Sequence, residues 1–172
     1  MPHFFKANPF IKDIVLAGND GIITTFAIVA GAIGASLPAT TIIILGFANL
    51  LADGLSMATG SYLGSKSALR ATNHKSTSQK QRRFPLHSGL VTFSAFLVAG
   101  VFPIIPFALN LPNPVLYSCG LVFFALSMIG IFRGLVSNQA IYRTVAENLL
   151  IGGAAAIVAF FVGGVLEKYL LG

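Results

Sequence analysis

The chain has 172 residues, of which 55% are hydrophobic and only 9% are charged, and its mean hydropathy is +0.83. A soluble domain of this size needs far more polar residues to cover its surface, so the composition excludes that class and predicts a multi-pass membrane protein. The net charge is +6. The basic residues flank apolar segments and form no nucleic-acid recognition pattern, so we expect no nucleic-acid partner.

Five apolar segments are each long enough to cross the ~30 Å hydrocarbon core as a helix. They cover residues 14–37, 41–64, 88–110, 115–136 and 148–168. The predicted fold is therefore all-α, with five transmembrane helices in a single transmembrane domain that spans residues 1–172. We expect no separate soluble domain.

The links between the spans differ in charge. Those at 36–39 and 110–114 are uncharged and rich in proline, which predicts tight turns on one side of the membrane. Lysines and arginines gather at the opposite ends, above all in the segment 65–87, which we interpret as a basic cytoplasmic loop. The positive-inside rule then predicts a cytoplasmic N-terminus and a C-terminus on the opposite side.

The first span contains a carboxylate, Asp20, with Gly18 and Gly21 beside it. An ionisable group inside the bilayer costs about 2.5–3.5 kcal/mol on insertion scales, so it usually faces a partner, a cavity or an ion path. The glycines weaken the helix, and we expect it to be kinked or opened there. Asp13 lies two turns earlier on the same face. It either begins a path from the cytoplasm or complements the helix dipole.

The second span carries Asn49, Asp53, Met57 and Ser61 at intervals of four residues, which places them on one helical face. Carboxylate oxygens combined with a thioether favour borderline ions such as Fe²⁺ or Mn²⁺ over Mg²⁺ and Ca²⁺. Met57 also fits ordinary core packing, and the two polar residues also fit contacts between helices. The pattern leaves both interpretations open.

The remaining polar residues give weaker signals. Glu147, at the start of the fifth span, is a dipole partner, a pair for Arg143 or a cytoplasmic gate. His3, His74 and His87 lie outside the spans without the spacing of metal ligands. No catalytic or phosphate-binding motif occurs, so we expect neither an enzyme nor a permanently bound cofactor.

Two segments, Asp13 to Ala32 and Gly46 to Ser65, resemble the first two helices of the vacuolar iron transporter family. The resemblance implies a two-fold homodimer that exports Fe²⁺ or Mn²⁺ from the cytoplasm in exchange for protons. It also implies that Asp20, Asp53 and Met57 lie on the membrane pathway, with Asp13 at its entrance.

The chain departs from that family in two places. The segment 65–87 contains no acidic residue, so the chain is similar to a shorter branch that lacks the cytosolic metal-binding domain. Ser61 stands where members commonly have glutamate.

The first two spans supply only two buried acids, Asp20 and Asp53, for a hydrated pathway, and a two-fold dimer doubles that number. The predicted function is a transporter of divalent transition metal ions, with the bilayer, the metal ions and a second copy as partners and protons as the coupling ion. The alternatives are a transporter of protons or small solutes, and a scaffold subunit whose acids pair with Arg133 or Arg143. The expected membrane is the inner or plasma membrane in a prokaryote and a vacuolar-type membrane in a eukaryote.

Overall fold

The computed structural model describes residues 10–71 and 79–170. These residues form helices and no strand, which confirms the all-α class. In chain order the helices are α1 (Ile11–Gly34), α2 (Ala39–Ala71), α3 (Gln79–Gly100), α4 (Ile105–Ala108), α5 (Pro114–Ser137) and α6 (Ile141–Leu170).

Within the described ranges, four helices are long and apolar enough to cross a membrane, namely α1, α2, α5 and α6. The third predicted span, 88–110, is not one continuous helix. It is divided between α3, a turn at 101–104 and the short α4. Pro103 and Pro106 lack the amide hydrogen that a helix needs at these positions, which explains the break.

The segment predicted as the basic loop 65–87 is largely helical. Residues 65–71 continue α2 and residues 79–87 begin α3, whereas 72–78 lie outside the described residues. With 33 residues, α2 is about 50 Å long and therefore exceeds the ~30 Å hydrocarbon core. Lys66 supports this extension, because its Nζ donates to Tyr62 Oη at 3.4 Å and lies 5.3 Å from the centre of that ring.

Helix α1 is the centre of the bundle and packs against α2, α3, α5 and α6. Each of three apolar clusters contains a fully buried residue of α1: Ala17, Ile22 and Val29. The helix that carries Asp13 and Asp20 is therefore held on several sides, and its acids have fixed positions relative to the other helices.

The expected opening of α1 at Gly18–Gly21 is absent, since α1 runs continuously from Ile11 to Gly34. The glycine instead permits close packing. A Cβ atom on Gly21 would lie 2.6 Å from the carbonyl oxygen of Phe96 in α3. Small residues that let two backbones approach in this way are typical of packing between membrane helices.

The two turns predicted at 36–39 and 110–114 are confirmed. Ser36 adopts φ 53°, and the amide of Leu37 closes the end of α1 by donating to Ala32 O at 2.9 Å. Asn113 adopts φ 57° directly before Pro114, the first residue of α5. Asparagine tolerates this left-handed region, and proline is favoured at a helix start.

The outer surface is apolar. Leu116 and Leu150 are each at least 70% exposed, and many other large hydrophobic side chains are also exposed on α2, α5 and α6. In water such a surface would be strongly unfavourable, whereas in a bilayer it contacts lipid. Together with the four long apolar helices, it identifies a multi-pass membrane protein.

Candidate functional site

Four polar residues join α1, α2 and α3 at one end of the bundle, and we call them the entrance cluster: Asp13, Ser61, Ser65 and Ser88. The buried Ser88 Oγ donates to Asp13 Oδ2 at 2.5 Å. Ser61 Oγ lies 2.7 Å from Ser88 Oγ, and Ser65 Oγ donates to it at 3.3 Å. A hydroxyl has a single proton, and Ser88 gives that proton to Asp13. Ser61 is therefore the donor in its bond to Ser88.

The entrance cluster fixes the relative depth of the two acids inside the spans. Asp20 lies seven residues beyond Asp13 along α1, which is about 10 Å of helix. Asp53 lies eight residues before Ser61 along α2, which is about 12 Å. Because the two helices run in opposite directions and are level at the cluster, Asp20 and Asp53 come to nearly the same depth.

These two residues form what we call the membrane pair. Both side chains are half-buried, and they lie at nearly the same depth on two helices that contact each other. Among the described residues, no basic side chain forms an ion pair with either of them. Two carboxylates that share a site without a cationic partner favour binding of a cation or of protons between them.

Neutral polar groups lie within two turns of each acid along its own helix. Asn49, one turn deeper than Asp53 on the same face, is half-buried, and its Nδ2 has no hydrogen-bond partner. Thr25 is fully buried and its Oγ1 is also without a partner, whereas Thr24 Oγ1 donates to the backbone oxygen of Asp20 at 2.9 Å. Unpaired buried polar atoms are uncommon in folded proteins and suggest a polar ligand.

Met57 lies one turn from Asp53 towards the entrance cluster. Its partly buried side chain packs against the apolar cluster that contains Ala17, Leu50 and Phe96. Packing therefore accounts for part of this side chain, and its role as a sulfur ligand stays a prediction.

Glu147 pairs with two arginines at the same end of the bundle. Its Oε2 lies 2.7 Å from Arg133 Nη2, and its Oε1 lies 3.3 Å from Arg143 Nε. Arg133 Nη1 also donates to Asn148 Oδ1 at 3.1 Å. The arginines that the scaffold hypothesis assigns to the membrane acids are thus engaged by Glu147, and its role as a gate stays a prediction.

Sequence reasoning missed the central member of the entrance cluster, Ser88, and the unpaired hydroxyl of Thr25. Neither residue has a recognisable sequence signal, because serine and threonine are common in membrane helices. The partner of Ser88, Asp13, lies 75 residues away along the chain, and Thr25 Oγ1 has no partner. Asn19, the neighbour of Asp20 along α1, has a buried Oδ1 without a hydrogen-bond partner. Within 10–71 and 79–170, no three histidine, cysteine, aspartate or glutamate side chains converge as metal ligands.

A sequence profile described as the VIT family matches this chain over residues 11–83 and 68–164. The matched segments run from α1 into α6 and therefore include every helix of the described structure. They meet at the connection between α2 and α3, where the resemblance places the domain that the shorter branch lacks.

Individual relatives match shorter stretches. A vacuolar iron transporter of Toxoplasma gondii is 44% identical over 61 residues, which are 36% of this chain and 20% of that protein. One of Plasmodium falciparum is 46% identical over 55 residues, 32% of this chain and 20% of that protein. Vacuolar iron transporter 1 of Arabidopsis thaliana is 22% identical over an alignment of 222 positions that covers 95% of this chain and 88% of that protein.

The chain thus spans about a fifth of the length of the Toxoplasma and Plasmodium relatives in these alignments. The profile match, in contrast, extends over most of the sequence and agrees with the helical membrane architecture. On this evidence the chain belongs to the VIT family.

Proposed function

We propose that this chain is a membrane transporter that moves divalent transition metal ions, Fe²⁺ or Mn²⁺ or both, out of the cytoplasm in exchange for protons. The observation that carries the proposal is the membrane pair. Asp20 and Asp53 lie at nearly the same depth on adjacent helices and have no cationic partner among the described residues. Family membership and the names of the relatives support a metal ion as the cargo.

The entrance cluster provides the first step of the proposed pathway. Asp13 is half-buried and keeps a carboxylate at the end where the basic residues gather, so it offers a cation a local attraction. The hydrogen bond from Ser88 holds this carboxylate in position. A cation that leaves Asp13 travels about 10 Å along α1 to reach the membrane pair.

The membrane pair explains why metal and protons would exchange. Two carboxylates near each other repel when both are ionised, and either a divalent cation or protons remove that repulsion. A site that accepts one or the other, but not both together, couples their opposite movements when it opens alternately to each side. Asn49 and Met57 would add a neutral oxygen and a thioether, a mixture that favours borderline ions.

A second copy of the chain supports this proposal chemically. A single chain brings two carboxylates to the membrane pair, whereas divalent transition metals usually take four to six ligands. A two-fold dimer with α1 of each protomer near the axis would supply four carboxylates. We therefore propose that the transporter is a homodimer with Asp20 of both protomers facing one cavity.

The direct test is transport in proteoliposomes that contain the purified full chain and an internal pH-sensitive dye. Imposed gradients of Fe²⁺ and Mn²⁺ should produce metal uptake together with a change of internal pH. Uptake without a pH change would contradict proton exchange. Failure of Fe²⁺, Mn²⁺, Co²⁺ and Zn²⁺ all to move through folded protein would contradict metal transport.

A measurement of metal binding distinguishes a metal transporter from a transporter of protons or solutes. Calorimetric titration with Mn²⁺ should give a strong signal for the wild type and a much weaker one for Asp53→Asn, because this change removes a charge at almost constant volume. The matched control is Glu167→Gln, which also removes one negative charge at almost constant volume, near the far end of α6. Equal Mn²⁺ affinity for the wild type and Asp53→Asn would show that the membrane pair is not a metal site.

A further inference from the structure

A cavity of about 450 Å³ lies between α1, α5 and α6, apart from the membrane pair. It is at the end of the bundle where α1 and α6 begin and α5 ends, which is the end that the positive-inside rule predicts to be cytoplasmic. Lys12, Asn19 and Arg133 provide polar groups, and Val15, Leu16 and Val136 provide an apolar wall. Its size is within the range of small-molecule sites.

The charge around this cavity is positive. Glu147 is shared by Arg133 and Arg143, so that cluster retains one positive charge. Lys12 adds another, and it forms no ion pair among the described residues. Its neighbour Asp13 is held by Ser88 of α3. The described residues that line the cavity include Lys12 and Arg133 and no carboxylate, so the cavity would attract an anion.

The apolar wall narrows the class of anion. Leu16 lines the cavity and is 55% exposed, so the cavity has an open apolar side. A free inorganic anion gains no free energy from contact with apolar side chains, whereas an acyl chain would bury them. At the inner end, Asn19 Oδ1 has no partner, so a headgroup hydroxyl would satisfy it after a small rotation of the amide.

We propose that this cavity binds an anionic phospholipid through its phosphodiester headgroup, with the phosphate between Lys12 and Arg133 and an acyl chain along Leu16. Juxtamembrane basic residues attract such lipids in general, and an adjoining cavity turns that attraction into a defined site. The inference concerns the ends of α1, α5 and α6 and does not depend on the transported ion.

The test is lipid binding to the purified full chain in detergent, measured by native mass spectrometry. Phosphatidylglycerol should bind more tightly than phosphatidylcholine. Lys12→Gln should weaken phosphatidylglycerol binding about fivefold, the effect expected for one lysine near an anionic lipid. Lys168→Gln, in the last turn of α6, removes the same charge at the other end and should leave binding unchanged.

A second variant tests the cavity without changing any charge. Val136→Phe should fill it and reduce phosphatidylglycerol binding while the protein remains folded by circular dichroism. Equal binding of the two lipids, or equal binding to wild type, Lys12→Gln and Val136→Phe, would overturn the proposal. Inorganic phosphate that competes with phosphatidylglycerol at millimolar concentration would identify a small-anion site and would also overturn it.

Discussion

The close approach of α1 to α3 predicts a specific effect of one methyl group. In Gly21→Ala the new Cβ would lie 2.6 Å from Phe96 O, whereas ordinary contact begins near 3.4 Å. The two helices would have to separate by roughly 0.8 Å, because a backbone carbonyl has no rotamer to adopt. Asp20 is the preceding residue, so the membrane pair would be displaced together with the helix.

The size of this destabilisation is measured against a matched control. A Cβ atom on Gly120 in α5 would meet no neighbouring atom within 4 Å, so Gly120→Ala gains helix propensity without a clash. Replacing a helical glycine with alanine stabilises both variants by about 1 kcal/mol of unfolding free energy. The difference in unfolding free energy between the two variants is therefore the overpacking cost at Gly21, about 1–3 kcal/mol. At about 2–4 °C per kcal/mol, Gly21→Ala should melt several degrees below Gly120→Ala.

Displacing the supports of a metal site typically lowers metal affinity about 10- to 100-fold. We therefore expect Gly21→Ala to lose Mn²⁺ affinity to a similar extent, and Gly120→Ala to retain it. Thermal unfolding in detergent and calorimetric titration measure the two effects separately. Equal melting temperatures and equal affinities for the two variants would refute both the packing argument and the proposed position of the site.

Three further predictions concern the candidate pathway. Met57→Leu should keep the packing, at a cost under about 1.5 kcal/mol, but should slow Fe²⁺ transport more than Mn²⁺ transport; an unchanged ratio would make Met57 a packing residue. In a Cys119→Ser background, Thr24→Cys should crosslink two protomers in lipid, and only monomer would contradict the proposed dimer. Ser61→Glu should lower the KM for metal by up to about tenfold, because a divalent ion and a charge ~6 Å away attract each other by roughly 1.4 kcal/mol in water. The exposed Ser67→Glu adds the same charge on the same helix and should have little effect.

Much of the architecture follows from hydropathy, because an apolar run of about 20 residues has few alternatives to a membrane helix. The prediction of a loop at 65–87 was wrong, because α2 continues to Ala71 and α3 begins at Gln79. Lys66 and its neighbours are polar and suggest a loop, but contacts with Tyr62 and with Ser88 of α3 keep α2 helical. The glycines beside Asp20 predict an opening of α1 that the continuous helix does not have, and the sequence does not show that α3 occupies the space of the side chain that Gly21 lacks.

The candidate site was predictable one helix at a time, but its three-dimensional register was not. Helical periodicity places Asp13 and Asp20 on one face and Asp53 and Ser61 on another, and it says nothing about how the two faces align. Ser88 supplies that alignment, since it hydrogen-bonds to both Asp13 and Ser61.

This role of Ser88 also bears on position 61, where the family resemblance implies a glutamate in other members. A glutamate at position 61 would place a second carboxylate next to Asp13, and the two would repel unless a cation lay between them. Ser61 instead donates a proton into the chain of hydroxyls that ends at Asp13, so the entrance cluster is satisfied without a cation. The entrance cluster is therefore held together by its own hydrogen bonds, and Asp13 is its one carboxylate. In the proposed pathway the stronger binding belongs to Asp20 and Asp53, which lie at nearly the same depth and have no basic partner among the described residues.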